Sequence, residues 1–159
     1  LLDTLKEGES FIVVMMDVNQ LKLINDRMGH LEGDRMLKFV VKSTQACMEK
    51  DDFMFRLSGD EFIIVSLESA YEEFMERVGK MEWMLDSRTP NGVSLGCTWE
   101  EHLADFDRLM RHAEELMLVN KQIYYKDSSQ ERKHYSPEYL NRLLQDMEEG
   151  CYRLCLQPK

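Results

Sequence analysis

Apolar and polar positions divide this chain into short segments of two different periods. Phe11-Ile-Val-Val-Met-Met16 is an unbroken apolar run, the pattern of a strand buried on both faces, and it predicts a strand over 11–18. Beyond it the period changes to that of helices. A short helix is predicted over 22–28, followed by a longer one over 34–49 that gathers Met36, Leu37, Val40, Val41, Thr44, Cys47 and Met48 on one face. Phe53, Phe55 and Leu57 then alternate, and Phe62 to Val65 follow. The two stretches read as a hairpin whose turn, Ser58-Gly59, leads into Asp60 and Glu61.

The second half repeats the scheme. A helix is predicted over 69–86 from Ala70, Phe74, Val78, Met81 and Leu85. Asp86-Ser-Arg-Thr-Pro-Asn-Gly92 is a connection of turn formers, and 92–99 reads as a strand. A helix over 103–121 follows from Leu103, Phe106, Leu109/Met110, Ala113 and Leu116/Met117, and Ile123-Tyr-Tyr125 reads as a final edge strand. Helices mixed with adjacent antiparallel strands predict an α+β domain: a central, mostly antiparallel sheet flanked by helices. Residues 127–138 are polar and read as a linker. Beyond them Leu140, Leu143, Leu144 and Met147 have helical spacing, and 152–158 reads as a strand.

Composition narrows the chemistry. With 159 residues, one domain and a fragment are expected. A net charge of −10 argues against a nucleic-acid surface, which requires a basic face. It also makes a polyphosphate ligand dependent on divalent cations, which invert the local sign around carboxylates. No apolar run is long enough to cross a bilayer and no signal peptide is visible, so no membrane contact is expected within this chain. Cys47, Cys97, Cys151 and Cys155 form no C-x-x-C pair. Cys47 and Cys97 fall in apolar patterns and read as buried thiols, and the usage fits a reducing cytoplasm, with room for a membrane anchor elsewhere in the parent protein.

Two polar clusters carry candidate chemistry. Asp17 lies where the buried strand ends, the position at which open sheets place ligand chemistry. Lys22, at the start of a short helix, and the amides there make a phosphate seat. Asn25 offers a donor and an acceptor to a base edge, and Asp34 accepts from two N–H groups at once, which suits guanine. Taken singly, each has an ordinary alternative: an acidic hairpin is a solvated turn, Asp34 is the N-cap of the following helix, Lys22 and Lys121 are surface lysines, and His30 is a turn residue.

Taken together, these residues carry a resemblance. Asp17-x-Asn-x-Leu-Lys-x-Ile-Asn-Asp26, Gly29-His-x-x-Gly-Asp34 and Arg56-x-Ser-Gly-Asp-Glu-Phe62 resemble the GGDEF domain of diguanylate cyclases. Asn91-Gly-Val-Ser-Leu-Gly96, His112-Ala-Glu-Glu-Leu-Met117 and Asn120-Lys121 are similar to its later strand and helix. The likeness covers 5–126, giving a GGDEF domain over 1–126. It implies the palm-like fold shared with class III nucleotide cyclases, and the condensation of two GTP into cyclic di-GMP with release of pyrophosphate. It further implies two Mg2+ or Mn2+ ions per GTP site held by Asp17, Asp60 and the Val18 carbonyl, with Asp60 as proton acceptor and Glu61 in support. Asn25, Asp34 and His30 would surround the guanine or ribose, and Lys22 and Lys121 the phosphates. Catalysis would need a second GGDEF domain in an antiparallel homodimer. Residues 139–159 resemble the opening of an EAL domain, the cyclic di-GMP phosphodiesterase fold, which implies an EAL partner in cis.

Several positions depart from the family pattern. Asn19 and Ser58 stand in place of an aspartate and the first signature glycine, and Tyr125 stands where an arginine is frequent. The product-inhibition motif, Arg-x-x-Asp, reads Glu49-Lys-Asp-Asp52. The turn that usually precedes the first strand is not found, so the domain is expected to start internally and this chain to have low activity. The alternative to a cyclase is a weakly catalytic GTP-binding module that regulates an attached EAL phosphodiesterase.

Overall fold

A computed structural model describes residues 10–67, 71–87, 92–100 and 105–127. The predicted linker beyond 127 and the 139–159 segment lie outside the described residues. Four strands, β1 (Phe11–Val18), β2 (Asp52–Arg56), β3 (Glu61–Leu67) and β4 (Val93–Glu100), form one sheet in the order β2-β3-β1-β4, with every pairing antiparallel. Four helices, α1 (Leu21–Met28), α2 (His30–Gln45), α3 (Tyr71–Asp86) and α4 (Phe106–Asp127), complete the α+β architecture expected from the sequence.

The apolar run of β1 is buried throughout because both sheet faces are covered, and its side chains alternate between two cores. Ile12, Val14, Met16 and Val18 join Phe62, Ile64, Leu95 and Cys97 under α2 and α3. Phe11, Val13 and Met15 join Ile63 and Val65 under α4, which contributes Leu109, Ala113 and Met117. Alternation therefore puts the next odd-numbered residue of β1, Asp17, on the α4 face. On α4 the buried row advances by four from Leu109 through Ala113 to Met117, so Lys121 continues it toward the same end of the sheet.

Three expectations need correction. Ile123-Tyr-Tyr125 is not an edge strand; it is the closing part of α4, where Tyr124 and Tyr125 rings meet edge-on at 5.0 Å. The helical ladder continues through these β-prone residues because no Gly or Pro interrupts it, and propensity is a weak prior. α2 begins at His30 rather than at 34 and ends at Gln45. Asp34 is therefore inside the helix and cannot be its N-cap, which is Gly29 in the left-handed region at φ 88°. Phe55 lies in the edge strand β2 as read, whereas Leu57 falls just past its end; both are exposed.

Two contacts fix the frame. Gly96 lets α4 approach β4: a Cβ there would lie 2.1 Å from the Ala113 carbonyl oxygen and 2.2 Å from the Met117 nitrogen. At the other edge, Arg77 of α3 donates to the Asp52 carboxylate, whose Oδ2 also accepts from the Glu49 amide at 2.7 Å.

Gly96→Ala has no relaxation available, since both obstructing atoms are backbone. It is expected to lower stability by about 1–3 kcal/mol in a denaturant melt, the range of core overpacking. A second expectation concerns pH. Burial, reinforced by the Asp86 carboxylate, raises the Glu82 carboxyl from 4.5 to about 7. The folded state thus holds this proton more tightly than the unfolded chain, and Glu82 costs stability progressively as pH rises from about 4.5 to about 7. Glu82→Gln should raise stability above pH 7 by about 1–2 kcal/mol, a figure discounted for the partly solvated side chain, and change nothing below pH 4. Thermal melts across that range check it.

Candidate active site

The site forms where β1, β3 and β4 end together. Asp17 is paired in register with Glu61 of β3 on one side and Ser94 of β4 on the other. Directly opposed residues share a sheet face, so two carboxylate side chains leave the sheet toward α4 side by side. Asp17 is only 3% exposed. Lys121 Nζ donates to its Oδ2 at 2.6 Å, whereas the buried Oδ1 has no hydrogen-bond partner. Burial pushes the Asp17 carboxyl above the usual carboxylate range, and the neighbouring Asp60 and Glu61 charges push the same way. The Lys121 hydrogen bond and charge act against both.

The signature turn is fastened from three directions. Its Asp60 carbonyl accepts from the Val18 amide at 2.9 Å, which ties the turn to the end of β1. Arg56 donates to the Gly59 carbonyl at 2.6 Å and to the Ser58 carbonyl at 3.2 Å. Ser58 Oγ donates to Glu61 Oε2 at 2.7 Å. Among the described residues only Gln20 and Gly29 have positive φ. Position 58 therefore needs no glycine here, and its hydroxyl is used to orient Glu61. Asn19, the other departure beside the acids, is buried and accepts from Ser94 Oγ at 3.0 Å, so it spans β1 and β4 as a neutral group.

The turn from β1 into α1 follows directly on the end of β1. Gln20, at φ 58°, starts α1 without a side-chain cap, and no acidic residue lies in the first turn. The first amides of the helix are thus left for water or a ligand, with the exposed Lys22 beside them. Asn25 packs against α2 so tightly that a Cβ on Gly33 would fall 1.9 Å from its Oδ1. Gly33 thereby makes room for the Asn25 amide; Asp34, the residue after it, is exposed, as is His30.

The structure thus gathers Asp17, Asp60, Glu61 and Lys121 into one cluster. Asn25 lies at the α1–α2 contact against Gly33, and Asp34, His30 and Lys22 are exposed on the same two helices. Sequence reasoning gave no role to Arg56, Ser94 or Gly33. Arg56 could have been found, because an arginine two residues before a Ser-Gly turn has free carbonyls within reach. Asp52 is turned inward onto Arg77 and is buried, so it is not a free surface group.

The donor set suits a hard cation. A buried carboxylate oxygen without a partner is an acceptor left for one, and carboxylate and carbonyl oxygens match Mg2+ or Mn2+. Among the described residues no three His, Cys, Asp or Glu side chains gather closely enough to hold an ion alone. An ion here would draw on one or two carboxylates and on ligand oxygens, the usual arrangement for Mg2+ on phosphates.

Comparison with known proteins agrees with this geometry. Residues 1–125 match the family model described as diguanylate cyclase, GGDEF domain. The chain is 30% identical over 125 residues to diguanylate cyclase DosC of Escherichia coli K12, an alignment covering 73% of this chain and 27% of that protein. It is 42% identical over 59 residues to cyclic di-GMP phosphodiesterase PdeB of Shewanella oneidensis, covering 37% of this chain and 7% of that one. A solved microbial GGDEF domain, described for its interaction with cyclic di-GMP, superposes with a TM-score of 0.64 at 34% identity, over 72% of this chain and 74% of its own. The chain spans about a quarter of the curated cyclase's length, and the match carries the palm-like fold with it. With sheet order, acidic turn and family model in agreement, this chain belongs to the GGDEF family, the domain of diguanylate cyclases.

Proposed function

We propose that this domain binds GTP and provides one half-site for its condensation to cyclic di-GMP, as a diguanylate cyclase. The observation that carries the reading is the buried, half-satisfied Asp17 carboxylate beside the fastened Asp60-Glu61 turn, at the end of β1 that leads into the start of α1. In the reaction the 3′-hydroxyl oxygen of one GTP forms a bond to the α-phosphorus of the other. The bond from that phosphorus to the bridging oxygen breaks, and pyrophosphate leaves with its electrons. The cycle closes when the same exchange occurs a second time.

Each residue contributes by position and charge, which dominate phosphoryl-type transfers. The first amides of α1 and Lys22 hold phosphate oxygens. Asn25 and Asp34 pair with the guanine edge, with His30 alongside. Asp60 accepts the hydroxyl proton, and Glu61, oriented by Ser58, supports the same site. Asp17, Asp60 and the Val18 carbonyl would hold Mg2+ or Mn2+, which would supply neutralisation of phosphate charge. One domain seats one GTP, so a second GGDEF domain must face it, and an EAL domain in cis is the partner suggested by the 139–159 resemblance.

A second reading rests on Tyr125. It occupies the position where an arginine clamp is frequent in the family, and it lies within α4 against Tyr124. Without that planar fork, phosphate is held less firmly. The domain would then bind GTP with little turnover and tune an attached phosphodiesterase, an activity named for the relative PdeB.

Calorimetry with GTP and Mg2+, paired with a product assay on the same sample, separates the two. The cyclase reading predicts binding and cyclic di-GMP. Binding without product would select the regulatory reading, and no binding would overturn both. Asp60→Ala should lower product formation by about 100-fold or more, the contribution typical of a positioned base.

A further inference from the structure

Lys121 stands in a position that conflicts with a phosphate-binding role. Its ammonium is already spent on Asp17 Oδ2 at 2.6 Å, and its side chain is 27% exposed against 4% for Asp17. The Asp17 carboxylate cannot readily give it up. Glu61 lies directly opposite in the sheet, the Asp60 charge bears on the same group, and Oδ1 has no other donor. Removing one member of a buried ion pair strands the other, at a cost well above the net worth of the pair. The lysine stem is nevertheless long and its head is a compact point charge, so the ammonium can swing between neighbouring oxygens without moving α4.

We propose that Lys121 is the resident counterion of Asp17 and acts as an exchange latch, released to the triphosphate only when another cation compensates Asp17. Lys121 is then a positioning residue that makes the phosphate seat conditional on cation loading. Nucleotide that arrives without a cation meets three carboxylates and an ammonium turned away from it. Nucleotide that arrives with one finds Asp17 compensated and Lys121 free. The inference rests on the GTP-binding role proposed above and adds an order to it.

The test is a double-mutant cycle on GTP affinity, measured by calorimetry in EDTA and in Mg2+. Asp17→Asn is nearly isosteric and removes the charge that holds Lys121. In EDTA it should bind GTP about tenfold or more tightly than wild type, the worth of one charge-assisted hydrogen bond to phosphate. Lys121→Met should cost that factor in the Asp17→Asn background and clearly less in the wild-type background, where the lysine is withheld. An equal factor in both backgrounds overturns the latch, because a plain attraction between charges is additive. Should Lys121→Met alone fail to fold, Asp17→Asn decides by itself: no gain in EDTA overturns the proposal. The Mg2+ arm separates the two levels of the reading. Wild type that binds GTP with Mg2+, without a gain for Asp17→Asn in EDTA, sinks the latch alone, whereas no binding with Mg2+ sinks the GTP site and the latch together.

Discussion

The domain is organised around one unfavourable charge arrangement that its sheet cannot avoid. Antiparallel pairing sets Asp17 against Glu61, and the alternation of β1 sends Asp17 under α4. Two carboxylates so placed repel, and burial of one worsens the repulsion. The structure answers with a single ammonium from α4 and leaves one carboxylate oxygen without a partner. A protein selected only for stability would place Ser or Thr there, as β4 does with Ser94 on the other flank. Retaining an undercompensated acid at the open end of a sheet is the local inconsistency expected where a site binds cations and phosphates.

Much of the remaining frame serves to hold that arrangement still. Gly96 sets the approach of α4 to β4, and hence where Lys121 can reach. Arg56 and the Val18 amide hold the carbonyls of the acidic turn, so Asp60 and Glu61 are carried by backbone bonds rather than by a loose loop. Gly33 does the same for Asn25 at the α1–α2 contact. Rigid support of this kind is what positional catalysis requires, since small displacements of reacting groups are costly.

Most of the fold was legible in the sequence because both periods are clean. The β1 run, the Phe74, Val78, Met81 and Leu85 face of α3 and the signature hairpin fall where the pattern places them, Ala70 lying outside the described residues. The final strand failed because Ile123-Tyr-Tyr125 combines β-branched and aromatic residues, a strand-like local pattern, although α4 runs on unbroken to Asp127. The start of α2 failed because Gly29 provides a positive-φ turn without any Ser, Thr, Asp or Asn cap to announce it. The Asp17–Lys121 contact spans 104 positions, beyond any local pattern. A trace was still present: the apolar row of β1 ends in Asp, and the row of α4 stepping by four ends in Lys. Glu82 and Arg77–Asp52 left no such trace, since their meaning depends on which helix faces which strand.

The most direct measurement of the central claim is anomalous diffraction from crystals of the protein grown with Mn2+ and a non-hydrolysable GTP analogue. The account predicts a manganese peak bonded to Asp17 Oδ1 at about 2.1–2.2 Å, within the range of hard cations on carboxylate oxygen, with Lys121 Nζ moved from Oδ2 to a phosphate oxygen. A peak bound elsewhere, or Lys121 still paired with Asp17 beside a bound nucleotide, would contradict it.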